Sequence, residues 1–473
     1  MRRANGSDIV ARLFAIALIV VGCNQVLSWQ LPLGARERPY LAWADLVVAL
    51  GFVVWLLVGL IRRDLRRAAR PPAALWAVVA VAALSIFHGL DFMRPLGELL
   101  ETDKRAVVNS AKESFQIALY FIAAYVLLVN GLREARAARL ALYALVAVTA
   151  CNVLAGLYTY VQRVALSLDD IERLQRWLAY HGQTEGMQAA IDPFSVGSVL
   201  GNRYVYGGFL VIALPLLFGV ALRERRRWVR VALGVIMAVG VVTCLSGWHL
   251  LLLLAACVIV ASRHSRAALF ATALCGTMAL WLVPALLPSN ARAIAEDVVL
   301  YREPGVEPGT LDIKQRWIKW AASADMMADP SAPSFLLGVG VGSYQERVGA
   351  FYGLAPQREN SRQPDTENRY LVTASSTGFL GLCALVGALM YFMRCAFGAD
   401  NGICSRIHPG LAAGLCGSLV GIVGANLIGD TFVRGLYVPV FLVFALAAVA
   451  ASHLRQAAPT PKGPNSWEPA ATS

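Results

Sequence analysis

Charge is scarce in this chain. Only 15% of its 473 residues are Asp, Glu, Lys or Arg, whereas 58% are hydrophobic, and the mean hydropathy is +0.58. That balance excludes an ordinary soluble domain, in which charged residues make up about 25%. Short alternating segments of the kind a membrane barrel needs are also missing. What is present instead is a series of long apolar runs, and about 20 apolar residues cross the hydrocarbon core as a helix. The expected fold class is all-α: a polytopic integral membrane helix bundle of about 12 transmembrane helices with one large helical outer loop.

Several chemistries are excluded by what the chain lacks. No CxxC pair occurs among its nine Cys, so neither a zinc site nor a disulfide framework is indicated. The six His are scattered without HxxxH spacing, which argues against a catalytic metal. No GxSxG elbow is present. The glycines of "GVGVGSY" (338–344) lack a following Lys-Ser/Thr, so they are not a nucleotide loop. No cofactor is expected. Residues 10–29 have no small-residue cleavage site behind them and read as a first helix, not a signal peptide. The net charge of +12 would suggest nucleic acid in a soluble protein. Here the basic residues sit in short loops between apolar runs, the signature of membrane orientation, and no nucleic-acid partner is expected.

The expected spans are 10–29, 41–61, 72–90, 114–131, 138–160, 204–222, 229–246, 248–262, 266–287, 370–393, 410–428 and 433–452. "RRDLRRAAR" (62–70), "REARAAR" (133–139), "RERRRWVR" (223–230) and "SRHSR" (262–266) then share one side, which the positive-inside rule makes cytoplasmic. Both termini follow them inside. Four regions result: 1–287, holding nine helices and an outer loop at 161–203; the large outer loop 288–369; three further helices in 370–455; and a Pro-rich tail, 456–473, that reads as disordered. Within the large loop, Thr310 is a plausible N-cap, and Ile313, Trp317, Trp320 and Ala324 form one helical stripe.

The outer segments gather charge. Arg203, Arg316, Arg347, Arg362, Asp365, Glu367, Arg369 and Arg434 all fall there. In "PDTENRYLVTASSTGFLGL" (364–382), Asp365, Glu367, Asn368, Arg369 and Tyr370 crowd the start of an apolar run. Guanidinium groups bind phosphate in a fork, and charges at membrane depth are expensive enough to suggest function. The plainer alternative is that flanking arginines snorkel to headgroups and that a carboxylate at a helix start answers the helix dipole. Asn202 and Arg203 open another span, with the same two readings. Asp365 and Glu367 are the foremost acid/base candidates, with His181 of the first outer loop behind them.

Four segments, taken in order, resemble the O-antigen ligase and polysaccharide polymerase superfamily. They are "GNRYVYGGFLVIALPLLFG" (201–219), "TCLSGWHLLLLLAACVIVASR" (243–263), "DIKQRWIKWAASADMMADPSAPSFLLGVGVGSY" (312–344) and "ENRYLVTASSTGFLGL" (367–382). The chain departs from the pattern twice. Glu367 stands where the ligases usually have His, and Gly247 follows Ser246 where the family's motif has Arg. The acid before Asn368 favours a polymerase over a ligase. The resemblance implies a metal-independent glycosyltransferase of the bacterial inner membrane. It would polymerise undecaprenyl-diphosphate-linked repeats on the periplasmic face. The acceptor would be a glycan, or lipid A-core if the chain is a ligase; a lipid-linked glycan flippase is the alternative of another class. Membrane lipids and other polysaccharide-assembly proteins would be its partners. Glu367 and Arg316 would carry catalysis. Asn202, Arg203, Arg362, Asp365, Asn368, Arg369 and Tyr370 would bind substrate.

Overall fold

The structure is a computed structural model. It describes residues 6–24, 43–65, 68–89, 104–164, 203–244, 247–286, 312–328, 335–351, 368–399, 403–432 and 435–457. Helices dominate these residues, and no strand occurs among them. A helix stands at the place of each apolar run, from Gly6–Gly22 and Trp43–Ile61 to Leu411–Ile428 and Tyr437–Ala457. Six stretches are long and apolar enough to cross a membrane: Trp43–Ile61, Ser110–Gly131, Ala135–Tyr158, Val205–Arg223, Arg369–Phe397 and Leu411–Ile428. Four shorter apolar helices accompany them. The helical membrane class therefore stands, with six spans supported by length and composition. Side-chain placement agrees with that class. Trp43–Ile61 turns Leu50, Val53, Leu57 and Leu60 outward, and Arg266–Leu286 does the same with Phe270, Leu274 and Met278. In water that surface would have to be covered; against lipid it is the outside of the bundle.

Small residues set the centre of the bundle. Helix Leu411–Ile428 carries Gly414, Gly417 and Gly421 on one side, and a Cβ there would run into Leu216, the Ala256 carbonyl and Val211 respectively. Without those side chains the helix lies directly on Arg203–Arg223, the close-approach packing by which helices associate when lipid removes the hydrophobic drive. Pro215 sits inside Arg203–Arg223 and deprives the preceding turn of a donor. Ser418 Oγ donates to the Ile212 carbonyl in that turn at 2.6 Å.

One expected span is not a single helix. Arg369–Phe397 is broken at Gly378, whose φ of 68° and ψ of −173° leave the helical region. A break inside an apolar segment frees carbonyls on one side and N–H groups on the other, and these must be re-paired. The Gly-rich turn does so. Val339 and Gly340 donate their N–H groups to the Ser375 and Ser376 carbonyls, at 2.9 Å each. Phe379 and Leu380 donate to the carbonyls of Phe335 and Leu336, at 3.0 and 3.3 Å. The contact is so close that a Cβ on Gly338 would lie 2.5 Å from the Gly378 nitrogen. Ala322, Met326, Val339, Tyr344 and Val348 form a small separate core that seats helix Asp312–Ala328 on this turn, and Ser323 and Tyr344 share a hydrogen bond of 2.6 Å. The stripe expected on Asp312–Ala328 is not the buried face of that helix at Trp317 and Ala324. Trp317 is 68% exposed and Ala324 is exposed, whereas Ala322, Ser323 and Met326 are buried.

The arginine-rich loops gather at one end of the bundle. Arg12 pairs with Glu134 at 2.7 Å, and Asn130 Oδ1 accepts from the Ala69 backbone N–H at 2.8 Å. Arg139 donates to the carbonyls of Arg406 and Ile407, and Arg263 to that of Phe397. Those carbonyls close helices Ile403–Ile407 and Arg369–Phe397, where a cation answers both the unpaired oxygens and the helix dipole. His408 and Glu224 also meet at this end, 3.6 Å apart. Burial holds the His408 imidazole below its ordinary value despite that carboxylate. Glu224 is held below the usual carboxylate range, first by the Arg226 backbone N–H.

Candidate functional site

The other end of the bundle carries the acids. Four elements meet there: the start of Arg369–Phe397, the turn between Leu411–Ile428 and Tyr437–Ala457, the helix Lys104–Ala118, and the Gly-rich turn. Asn368 caps its helix, its Oδ1 accepting from the N–H groups of Tyr370 and Leu371 at 3.0 and 3.2 Å. This is the ordinary work of an Asn at that position. Tyr370 donates its hydroxyl to the Val423 carbonyl at 2.9 Å. Arg369 donates its backbone N–H to Gly429 at 3.1 Å and forms an ion pair with Asp430 at 2.9 Å, with side chains only 17% and 12% exposed. Its Nε is buried with no partner. The turn that presents Asp430 is held by Asn426, whose Oδ1 accepts from the backbone and hydroxyl of Thr431, both at 3.0 Å. Asp430 Oδ1 in turn accepts from the Phe432 N–H at 2.7 Å.

Glu113 completes the group. Part of the residue is exposed, but its carboxyl is set within the protein: burial acts on it first, then the charges of Arg369, Lys112 and Asp430, and the Gly342 backbone N–H hydrogen-bonds to it. Behind it the helix passes into a π-helical stretch, Leu119–Ala124, a local widening that recurs at functional sites. This stretch points Tyr120 at Asp45, its hydroxyl donating to the buried carboxyl at 2.6 Å. Tyr120 also stacks on Tyr437 at 4.3 Å. Tyr437 lies within the electrostatic reach of Arg369, Asp430, Glu113 and Asp45. Two carboxyl groups, Glu113 and Asp430, therefore lie within reach of Arg369.

Of the residues the sequence singled out, the structure brings Asn368, Arg369 and Tyr370 together here and gives each at least one structural partner. Arg347 is exposed at the end of the short helix Tyr344–Arg347. Arg203 opens helix Arg203–Arg223, and Arg316 lies on Asp312–Ala328. Thr310, Asn202, His181, Arg362, Asp365, Glu367 and Arg434 lie outside the described residues. No family model matches the chain. No curated protein matches it either. Sequence reasoning passed over Glu113, Asp430 and Asp45. Each is an acid isolated beside or within an apolar run, the signal that should have drawn attention to them.

Proposed function

We propose that the chain is a bacterial inner-membrane glycosyltransferase that polymerises undecaprenyl-diphosphate-linked oligosaccharide repeats. The bundle would cross about 12 times, with both termini and the arginine-rich end in the cytoplasm. The observation that carries the reading is the buried ion pair Arg369–Asp430 with Glu113 beside it, at the end opposite the arginine-rich loops. A lipid diphosphate would rest at that depth, half in membrane and half in water. In this reading Arg316 holds the diphosphate, with Arg203 and Arg362 as further phosphate ligands. Fixed guanidinium groups then stabilise the leaving group's charge as it develops. Glu367 takes or orients the acceptor proton within hydrogen-bond reach. Asp365 and Asn202 would bind substrate beside them.

A deletion strain tests this. A polymerase mutant lacks long polymer but still carries single lipid-linked repeats on the periplasmic leaflet. Full-length lipid-linked polymer that never reaches the lipid A-core would make the chain a ligase. Single repeats held on the cytoplasmic leaflet would make it a flippase. Normal long polymer would overturn all three. In a purified assay, Glu367→Gln should abolish turnover while sparing donor binding, and Arg316→Lys should weaken donor binding by removing the bidentate fork.

A further inference from the structure

The turn segment 335–340 belongs by sequence to the large outer loop, yet it docks on the inside stretch of an apolar helix of membrane length. We propose that this segment is re-entrant: Phe335 and Leu336 lie in the hydrocarbon of the leaflet remote from the arginine-rich loops, against lipid acyl chains, and anchor helix Asp312–Ala328 at the membrane surface. Only the helical membrane class is needed for this, not the glycosyltransfer reading above.

The first support is depth. Helix Arg369–Phe397 ends among the arginine-rich loops, where Arg263 donates to the Phe397 carbonyl. From Phe397 back to Phe379 the helix rises about 27 Å, at about 1.5 Å per residue. Tilt only shortens that depth. The hydrocarbon core is about 30 Å thick, so with Phe397 at its edge Phe379 still lies inside it. Setting the edge at Arg394, exposed in the last turn, puts Phe379 further inside. The Phe335 ring stacks on the Phe379 ring, with centroids 5.6 Å apart, and so shares its depth. The second support is the surface. Phe335, Leu336, Phe379 and Leu380 are 64%, 52%, 47% and 43% exposed. Cys383, Val386 and Met390 are also exposed and continue from Phe379 along one helix face. The patch is thus continuous with the flank of the bundle that lipid covers, and in water so large an apolar surface would need a cover. Residues 330–345 carry no charge, although Asp329 and Glu346 stand on either side. The third support is the backbone. Irregular chain survives at membrane depth only where its polar groups are paired within the protein. The Phe335 and Leu336 carbonyls accept from Phe379 and Leu380, and the Val339 and Gly340 N–H groups donate to Ser375 and Ser376. The segment keeps these groups against the helix and turns its two largest apolar side chains outward. Ala322 and Met326 of helix Asp312–Ala328 pack with Val339, Tyr344 and Val348, which holds that helix just above the buried segment. Its exposed Trp317 then falls at the headgroups, where Trp is enriched.

The test uses the full chain in vesicles of phosphatidylethanolamine and phosphatidylglycerol, with Cys151, Cys257, Cys275 and Cys383 replaced by Ser. A nitroxide spin label is attached through Phe335→Cys, Leu336→Cys, Met390→Cys or Arg347→Cys. Oxygen concentrates in hydrocarbon and a polar nickel chelate in water, so their collision rates with the label report its depth. Oxygen collisions should exceed nickel collisions at 335 and 336, as at the lipid-facing 390, and the order should reverse at 347. Adding undecaprenyl phosphate to the vesicles should leave the mobility of the label at 335 unchanged, and no dipolar broadening between labels should appear. Nickel-dominated collisions at 335 and 336 put the segment in water and overturn the proposal. Dipolar broadening would give the patch to a second copy of the chain, and saturable immobilisation by undecaprenyl phosphate would give it to a bound prenyl chain; either result also overturns it. Thermal unfolding checks each variant, and Leu336→Cys carries the test should Phe335→Cys not fold. A label in water leaves the transferase reading intact, and normal polymer in the deletion strain leaves the re-entrant segment intact.

Discussion

Gly378→Ala is the most direct probe of how this bundle is built. The position has φ 68° and ψ −173°, a region in which an L side chain is strained by about 1–3 kcal/mol. Its new Cβ would also overlap the Leu336 carbonyl and the Leu337 nitrogen, so the Gly-rich turn must move away. Four backbone hydrogen bonds join turn and helix across this point, from Val339, Gly340, Phe379 and Leu380. At about 1 kcal/mol each, losing half of them adds about 2 kcal/mol to the strain, for a total of about 4 kcal/mol. The control is Gly387→Ala in the same helix, where a Cβ meets nothing within 4 Å. That change should be neutral or stabilise by up to about 1 kcal/mol. The assay is unfolding by sodium dodecyl sulfate in mixed micelles, followed by tryptophan fluorescence. Gly338→Ala should resemble Gly378→Ala, and the pair should be strongly non-additive because the two glycines touch. The reasoning fails if Gly378→Ala and Gly387→Ala unfold within about 0.5 kcal/mol of one another, the usual spread for an inconsequential surface change.

Removing one partner of the Arg369–Asp430 pair, as Arg369→Gln or Asp430→Asn, should destabilise by about 3 kcal/mol, with the double variant less affected than the two singles summed; a double-mutant cycle with no coupling would refute the pair's importance. A cysteine at Arg347, with Cys151, Cys275 and Cys383 replaced by Ser, should react with an impermeant maleimide from the periplasm, whereas one at the buried Ser343 should react slowly; labelling of position 347 only after the inner membrane is permeabilised would reverse the topology. The His408 imidazole has its pKa lowered by burial, so the unfolded chain takes up a proton before the folded one does. Stability at that end is then complete above the ordinary value of about 6.5 and falls as pH drops below it, with Glu224, also lowered, adding a further loss below its own ordinary range. His408→Gln should flatten the slope of melting temperature between about pH 7 and 5, and an unchanged slope would count against this assignment.

The sequence by itself determined the class of this protein and the places of its helices. Apolar runs of membrane length have few alternatives to helix, because lipid offers no partner for an open backbone. It also determined which loops share an end, since "REARAAR" and "SRHSR" both tie to helix ends at that side, Arg139 to Ile407 and Arg263 to Phe397, and Ala69 of "RRDLRRAAR" bonds to Asn130 just before "REARAAR". Part of the site was legible too, in the polar run Asn368–Arg369–Tyr370. The tertiary structure decided what those residues do. Asn368 caps its own helix through local bonds, but Tyr370 reaches the Val423 carbonyl 53 positions away and Arg369 an acid 61 positions away, pairings no spacing rule reports. Glu113 joins them from a different helix, and Asp45 and Tyr120 meet across 75 positions. The break at Gly378 was equally hidden. "TASSTGFLGL" reads as one continuous apolar helix, and an isolated glycine there is commonplace. Only the docking of 335–340 on 375–380 shows that its backbone must leave the helix, because the freed N–H and carbonyl groups find their partners in a segment 40 residues earlier.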